Sequence, residues 1–133
     1  MGSQERDKGG RGEREFATVI RELTSGEINL TRNLEQVRNG GADLDGHDAF
    51  AFEIKRRRDP PTDATLTGWW MQTVDQALVQ NKKPVLAYRQ DRQSWRVVVH
   101  MEHGFRLEDP RGCLTMDVEM FCRFMKEFSR AEA

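Results

Sequence analysis

The sequence predicts one α/β domain, a mixed central sheet of about five strands flanked by helices. Three observations point there. Segments with apolar residues at helical spacing occur near the start, in the middle and near the end of the chain. Short alternating or β-branched segments lie between them, bounded by Gly, Pro, Asn and Asp. A chain of 133 residues is long enough for one hydrophobic core and short for two.

The elements follow in order. Residues 1–10 are polar and Gly-rich and are expected to form a flexible tail, leaving one domain over residues 11–131. From Gly12 a helix is predicted, because Phe16, Val19, Ile20 and Leu23 make one apolar stripe, and Ser25-Gly26 stops it. "INLTRNL", residues 28–34, alternates apolar and polar and reads as a strand carrying Arg32 on its polar side. Arg38 to Gly41 reads as a turn. A hairpin follows, with arms at residues 42–44 and 49–55 around Asp45-Gly46-His47-Asp48. Pro60-Pro61 breaks the chain before a helix over residues 64–79, whose stripe is Leu66, Trp70, Val74, Ala77 and Leu78. "PVLAYR" and "WRVVVHM" read as two strands around a polar turn. A last helix is predicted from Thr115, as N-cap, to about Arg130. The order is helix, three strands, helix, two strands, helix, a sheet with helices packed on it.

Composition excludes several classes. Hydrophobic residues are 37% and charged residues 32%, as in a soluble domain with a charged surface. No apolar run reaches the ~18 residues a membrane span needs. The first residues lack the apolar segment of a signal peptide, so a cytoplasmic protein is expected. Two cysteines, Cys113 and Cys122, form neither a disulfide framework nor a metal-ligand pattern. The formal net charge of −1 says nothing about nucleic acid. Local clustering does, and Lys55-Arg56-Arg57-Arg58 is the strongest basic run.

The chemistry concentrates in "GGADLDGHDAFAFEIKRRR", residues 40–58. Strand alternation puts Phe50, Phe52 and Ile54 on one face and Ala49, Ala51, Glu53 and Lys55 on the other. The two small alanines are expected to leave room beside Glu53 and Lys55. Asp43 and Asp45 share a face across the hairpin. Carboxylates converging from adjacent strands repel unless a cation lies between them, and a hard divalent ion such as Mg²⁺ suits oxygen ligands. Glu53 and Lys55 alone could equally be a half-exposed charge pair on a sheet edge.

More of the chain carries a resemblance. Asp43 with Glu53-Ile54-Lys55 resembles the D…ExK core of the PD-(D/E)xK (restriction-endonuclease-like) nuclease superfamily. Several further segments are similar to its Holliday-junction-resolvase branch: "GGRGEREF" opening the first helix, Arg32 on the first strand, the "GADL" turn, "WWMQTVDQA", and the strand pair from Pro84 to Trp95. Ala42 departs from the proline usual before the aspartate in the wider superfamily. The resemblance implies a restriction-endonuclease-like core, and Mg²⁺ or Mn²⁺ bound by Asp43, Glu53 and Glu13. It also implies that Lys55 serves the attacking water and that Gln72 or Gln76 is an active-site glutamine, Gln72 being favoured. Helical phase places Glu13 on the inward stripe with Phe16, although a helix-start glutamate can also serve the dipole.

Asp45 and Asp48 fit a tight turn and are read as structural. His47, His100 and His103 show no ligand spacing. Arg14, Arg32, Arg56, Arg57, Arg58 and Gln76 are expected to contact DNA, the arginines pairing with phosphates. A nuclear-localisation reading of the basic run is the alternative for those positions. No base-reading motif is evident, which suits recognition of DNA shape.

The expected function is a metal-dependent DNA endonuclease of Holliday-junction-resolvase type, in a prokaryotic cell or a phage-infected host. The alternatives are a nickase, repair or restriction-type nuclease on duplex DNA, and a non-cleaving nuclease-fold binding module. The last helix carries Val118, Phe121, Cys122, Met125 and Phe128, with Met116, Met120 and Phe124 beyond them, an arc wide enough to predict a homodimer.

Overall fold

A computed structural model of the protein describes residues 2–34 and 40–132. Arg38 and Asn39 of the predicted turn lie outside the described residues. Helix α1 (Gly2–Leu23) leads to β1 (Thr31–Arg32), β2 (Leu44–Asp45) and β3 (Phe50–Arg57). Then come α2 (Asp63–Gln80), β4 (Lys83–Gln90), β5 (Arg96–His100), a 3₁₀ turn (Pro110–Gly112), β6 (Cys113–Asp117) and α3 (Val118–Glu132).

The strands form one six-stranded sheet in sequence order, β1-β2-β3-β4-β5-β6. Every neighbouring pair is antiparallel except β3 and β4, which are parallel from Phe50↔Lys83 to Arg57↔Gln90. A parallel pair needs a crossover, and α2 supplies it. On one face α1 and α3 bury Phe16, Ile20, Phe121 and Met125 against Phe50, Phe52, Ile54, Val85 and Val97. On the other, α2 packs Trp70 and Val74 on Leu86 and Val98. The helix ends follow local rules. Thr62 Oγ1 accepts from the Thr65 N–H to cap α2. Asn81, at φ 53°, closes that helix in the left-handed region. Gly26 N–H donates back to the Arg21 carbonyl after α1.

Four expectations are corrected. Helix α1 starts at Gly2, where a start at Gly12 was expected. Gly12 serves close packing within the helix: a Cβ there would lie 3.2 Å from the Arg56 Cβ on β3. The strand expected over residues 28–34 is paired only at Thr31–Arg32. The mixed sheet flanked by helices is as expected, and it has six strands where about five were counted. The sixth is β6, where a helix start at Thr115 was expected. Thr115 pairs with Val98 in β6, and α3 is instead capped by Asp117, whose Oδ1 accepts from the Met120 N–H at 2.7 Å. Finally, Ala51 leaves no open room beside Glu53, because Ala42 and Ala77 of α2 close over it in a buried alanine cluster.

A charged network, invisible to spacing rules, ties α1 to the sheet. Glu15 Oε1 accepts from Arg89 Nη1 at 2.5 Å and from Trp95 Nε1 at 3.1 Å. Arg56 lies 3.9 Å from the other Glu15 oxygen and 3.1 Å from Asp91. Removing Glu15 takes the acceptor from Arg89 Nη1 and from the Trp95 indole N–H, while Arg56 keeps Asp91. Glu15→Ala is expected to destabilise the fold by about 1–2 kcal/mol, read as a lower urea midpoint with unchanged slope.

Candidate functional site

Residue by residue, the site grows out of the β2–β3 pair. The register Leu44↔Phe52 sets Asp43 beside Glu53, and both are buried, at 8% and 2% exposure. Asp43 is fixed by β3: its N–H donates to the Phe52 carbonyl, and its Oδ2 accepts from the Ile54 N–H at 2.8 Å. Glu53 sits in the central strand, covered on its own face by α2. Its Oε2 is buried without a hydrogen-bond partner. Such an atom costs free energy unless something positive or protonated meets it. Burial first, and the Asp43 carboxylate second, push the Glu53 carboxyl up to about 9.

Glu13 reaches the same region from α1. Burial raises its pKa, partly offset by Arg32, with the Asp43 charge raising it further. Its Oε2 accepts from Arg32 Nε at 2.6 Å. Among the described residues, no three acidic, His or Cys side chains already converge as a metal-ligand set. Asp43 and Glu53 converge as a pair, while Glu13 is engaged by Arg32. The orphaned Glu53 oxygen beside a second carboxylate fits a hard divalent cation. Lys55, half-buried on the Glu53 face, makes no ion pair among the described residues, although its charge lowers the Glu53 pKa.

The glutamines divide. Gln76 Oε1 accepts from the Gly41 N–H at 2.7 Å, and Gln80 Oε1 accepts from the Ala42 N–H at 3.1 Å. Together they hold the backbone that enters Asp43. Gly41 takes φ +97°, a conformation glycine adopts without strain. Gln80, which also donates to Asp45 Oδ1, escaped the sequence reading. Its only signal was the i, i+4 ladder with Gln72 and Gln76. Gln72 is exposed. Ala77 packs on Ala51 and Trp69 lies by Arg57, so α2 runs antiparallel to β3 and Gln72 falls near the level of Lys55.

The basic run also splits. Arg56 turns to the α1 side and is held by Glu15 and Asp91. Arg57 lies over the Trp69 ring, 5.8 Å from its centroid. Arg58 is exposed, 3.6 Å from Asp59. Arg14, exposed on α1, and Arg32 both reach Gly10: a Cβ there would lie 3.4 and 3.5 Å from their guanidinium nitrogens. The histidines serve structure. His47 Nδ1 accepts from the Ala49 N–H, and His100 Nδ1 accepts from the Glu102 N–H while its ring stacks on Trp70. His103 is exposed.

No helix among the described residues is long and apolar enough to cross a membrane. A comparison with curated proteins finds no match. Among solved structures, the chain is similar to Archaeoglobus fulgidus Hjc, a Holliday junction resolvase from an archaeal hyperthermophile. The two share 20% identity at a TM-score of 0.48, over 86% of this chain and 87% of that one. Residues 4–110, from α1 through β5 and with Asp43, Glu53 and Lys55 inside, match the family described as "Phage putative PDDEXK endonuclease". That match spans most of the chain, and the protein belongs to this PDDEXK endonuclease family.

Proposed function

We propose that the protein is a metal-dependent endonuclease that hydrolyses phosphodiesters in branched DNA, the four-way junction above all. The observation that carries the metal reading is the buried Asp43–Glu53 pair with its orphaned Glu53 oxygen. Asp43 and Glu53 would hold Mg²⁺ or Mn²⁺, with Glu13 joining when Arg32 releases it. A bound ion supplies polarisation of the phosphate and a more acidic water. Lys55 orients the attacking water and offsets charge gathering on the phosphate. Gln72 holds substrate or water at the level of Lys55, and Gln76 keeps the Asp43 backbone in place. Arg14, Arg32, Arg57 and Arg58 pair with phosphates, and Arg56 supports them from its place between Glu15 and Asp91. Water adds to phosphorus, a P–O bond to the sugar breaks, and a proton passes to the leaving oxygen.

The preference for branched DNA rests on the resemblance to resolvases and on the absence of a base-reading motif. A cleavage assay with Mg²⁺ on four-way, nicked and linear DNA tests it. Faster cutting of the junction is the expected result. Equal rates on linear duplex would replace the resolvase with a duplex nuclease, and binding without cutting in any divalent ion would leave a non-cleaving module.

A homodimer accompanies this reading, since a junction needs paired cuts. Its support is the exposed apolar surface of Met120, Phe124, Leu114 and Met101, beside the edge strand β6. Light scattering at micromolar concentration is expected to give twice the chain mass, and Phe124→Arg to give the monomer. A monomeric wild type would overturn the dimer. The site of action would be the cytoplasm of a prokaryotic cell or phage-infected host.

A further inference from the structure

Helix α2 carries a feature that its packing does not explain. Gly68 lies in the interior of this 18-residue helix, where glycine costs about 1 kcal/mol relative to alanine. A Cβ at Gly68 would meet nothing within 4 Å. No neighbour among the described residues requires the glycine, and the position is exposed. Gly68 shares a stripe at helical spacing with Trp69, Gln72 and Thr65.

The two adjacent tryptophans differ. Trp70 is 2% exposed and its indole N–H donates to the Leu107 carbonyl. Trp69 is only partly buried, and its indole N–H donates to nothing among the described residues. Its ring centroid lies 6.0 Å from that of Tyr88, also partly exposed, and Arg57 covers it on the cationic side. Tyr88 is the register partner of Lys55 on the neighbouring strand. An indole, a phenol and a guanidinium therefore stand beside the lysine of the candidate site, next to a bare patch of helix.

We propose that the Gly68–Trp69 segment of α2, with Tyr88 and Arg57, is a platform on which one unstacked nucleobase of the DNA lies beside the phosphate to be cut. Aromatic faces take any base by stacking, and a guanidinium adds attraction for the ring and for the flanking phosphate. Gly68 leaves the clearance that the base and sugar need over the helix. A base is free to leave its stack at a branch point or an unpaired site and is held in a continuous duplex. The platform would thus favour interrupted DNA over linear duplex, and it rests on the nuclease reading above.

The test compares wild type with Gly68→Leu and Trp69→Leu on four-way and linear DNA. Leucine at position 68 has open space and better helix propensity, so the thermal midpoint is expected to hold or rise. Cleavage of the junction is expected to fall roughly 10-fold or more in both variants, the scale of one lost base stack. Linear cleavage should stay within about twofold, and Trp69→Phe should recover most of the loss. Junction cutting by Gly68→Leu at the wild-type rate would overturn the platform, as would equal losses on both substrates. A second measurement needs no cutting and no variant. Trp70 and Trp95 are buried, so acrylamide quenching of the protein's tryptophan emission reports chiefly on Trp69. In Ca²⁺, junction DNA is expected to shield that quenching and linear duplex to leave it. Shielding without cleavage would fail the nuclease reading alone, and cleavage without shielding would fail the platform alone.

Discussion

Asp43→Asn and Glu53→Gln are each expected to lower Mg²⁺-supported DNA cleavage by about 10³-fold or more while binding of the same DNA survives. The two carboxylates occupy one buried pocket, so removing either charge halves the anionic field that would retain a divalent ion. The arginines proposed to pair with phosphates stand outside that pocket and would be untouched by the change. Gel shift in Ca²⁺ and single-turnover cleavage in Mg²⁺ separate the two effects. Undiminished cutting by both variants would remove the proposed metal site. The nearby Asp45 gives a control, because its carboxylate accepts from Gln80 on α2 and not from the strand that carries Glu53. Asp45→Asn should keep cleavage within a few-fold of wild type.

The same buried pair should make the metal-free protein less stable as pH rises. In the folded chain the Glu53 carboxyl is raised to about 9 from an ordinary value near 4.5. The folded state therefore binds that proton more tightly than the unfolded chain does. Its contribution is complete below about pH 4.5 and is lost as pH climbs toward 9. At pH 8 without metal, Glu53→Gln is expected to be more stable than wild type by about 2 kcal/mol, since an amide is neutral in both states and folding need not draw a proton onto an ionised carboxylate. For a domain of this size that is a gain of about 5 °C in Tm. Mg²⁺ should stabilise wild type at pH 8 and leave Glu53→Gln nearly unmoved. The active carboxylate would then weaken the fold that carries it, a trade seen where function needs a strained group. A wild-type Tm that is flat between pH 5 and 9 in chelator would sink this expectation.

How much of this was legible depended on the range of the interaction. The β3 pattern was readable because alternation in "AFAFEIK" is local, and the Phe50–Phe52–Ile54 face lies in the core as expected. Helix α2 was readable because Trp70, Val74 and Ala77 of its stripe repeat within a few turns and are buried, although Leu78, also placed on that stripe, is exposed. Strand β6 was not, because Thr115 makes a good cap in isolation and an edge strand shows little burial pattern. Only its pairing with β5 decides, and sequence spacing does not contain that pairing. The glycines of α1 misled for the same reason, since the contact of Gly12 is with Arg56, far along the chain. Within the site, Asp43, Glu53 and Lys55 came from a motif on one hairpin. The commitment of Arg56 to Glu15 and Asp91 joins distant elements and had no local trace, and the grip of Gln80 on Ala42 had only its i, i+4 place below Gln76.

The Glu13–Arg32 ion pair has a consequence for the order of binding. Arg32 belongs to the arginines that would meet phosphate, and Glu13 to the acids that would meet metal, yet each occupies the other. DNA that draws Arg32 away frees a carboxylate, and an ion that takes Glu13 frees a guanidinium. Linkage then requires each ligand to raise the affinity of the other by the same factor. Titrating metal with and without DNA, and DNA with and without metal, should return one coupling constant. Arg32→Ala should bring that constant close to one. A site wired this way would stay poorly loaded until nucleic acid arrives, and cutting power would be confined to the protein already seated on its substrate.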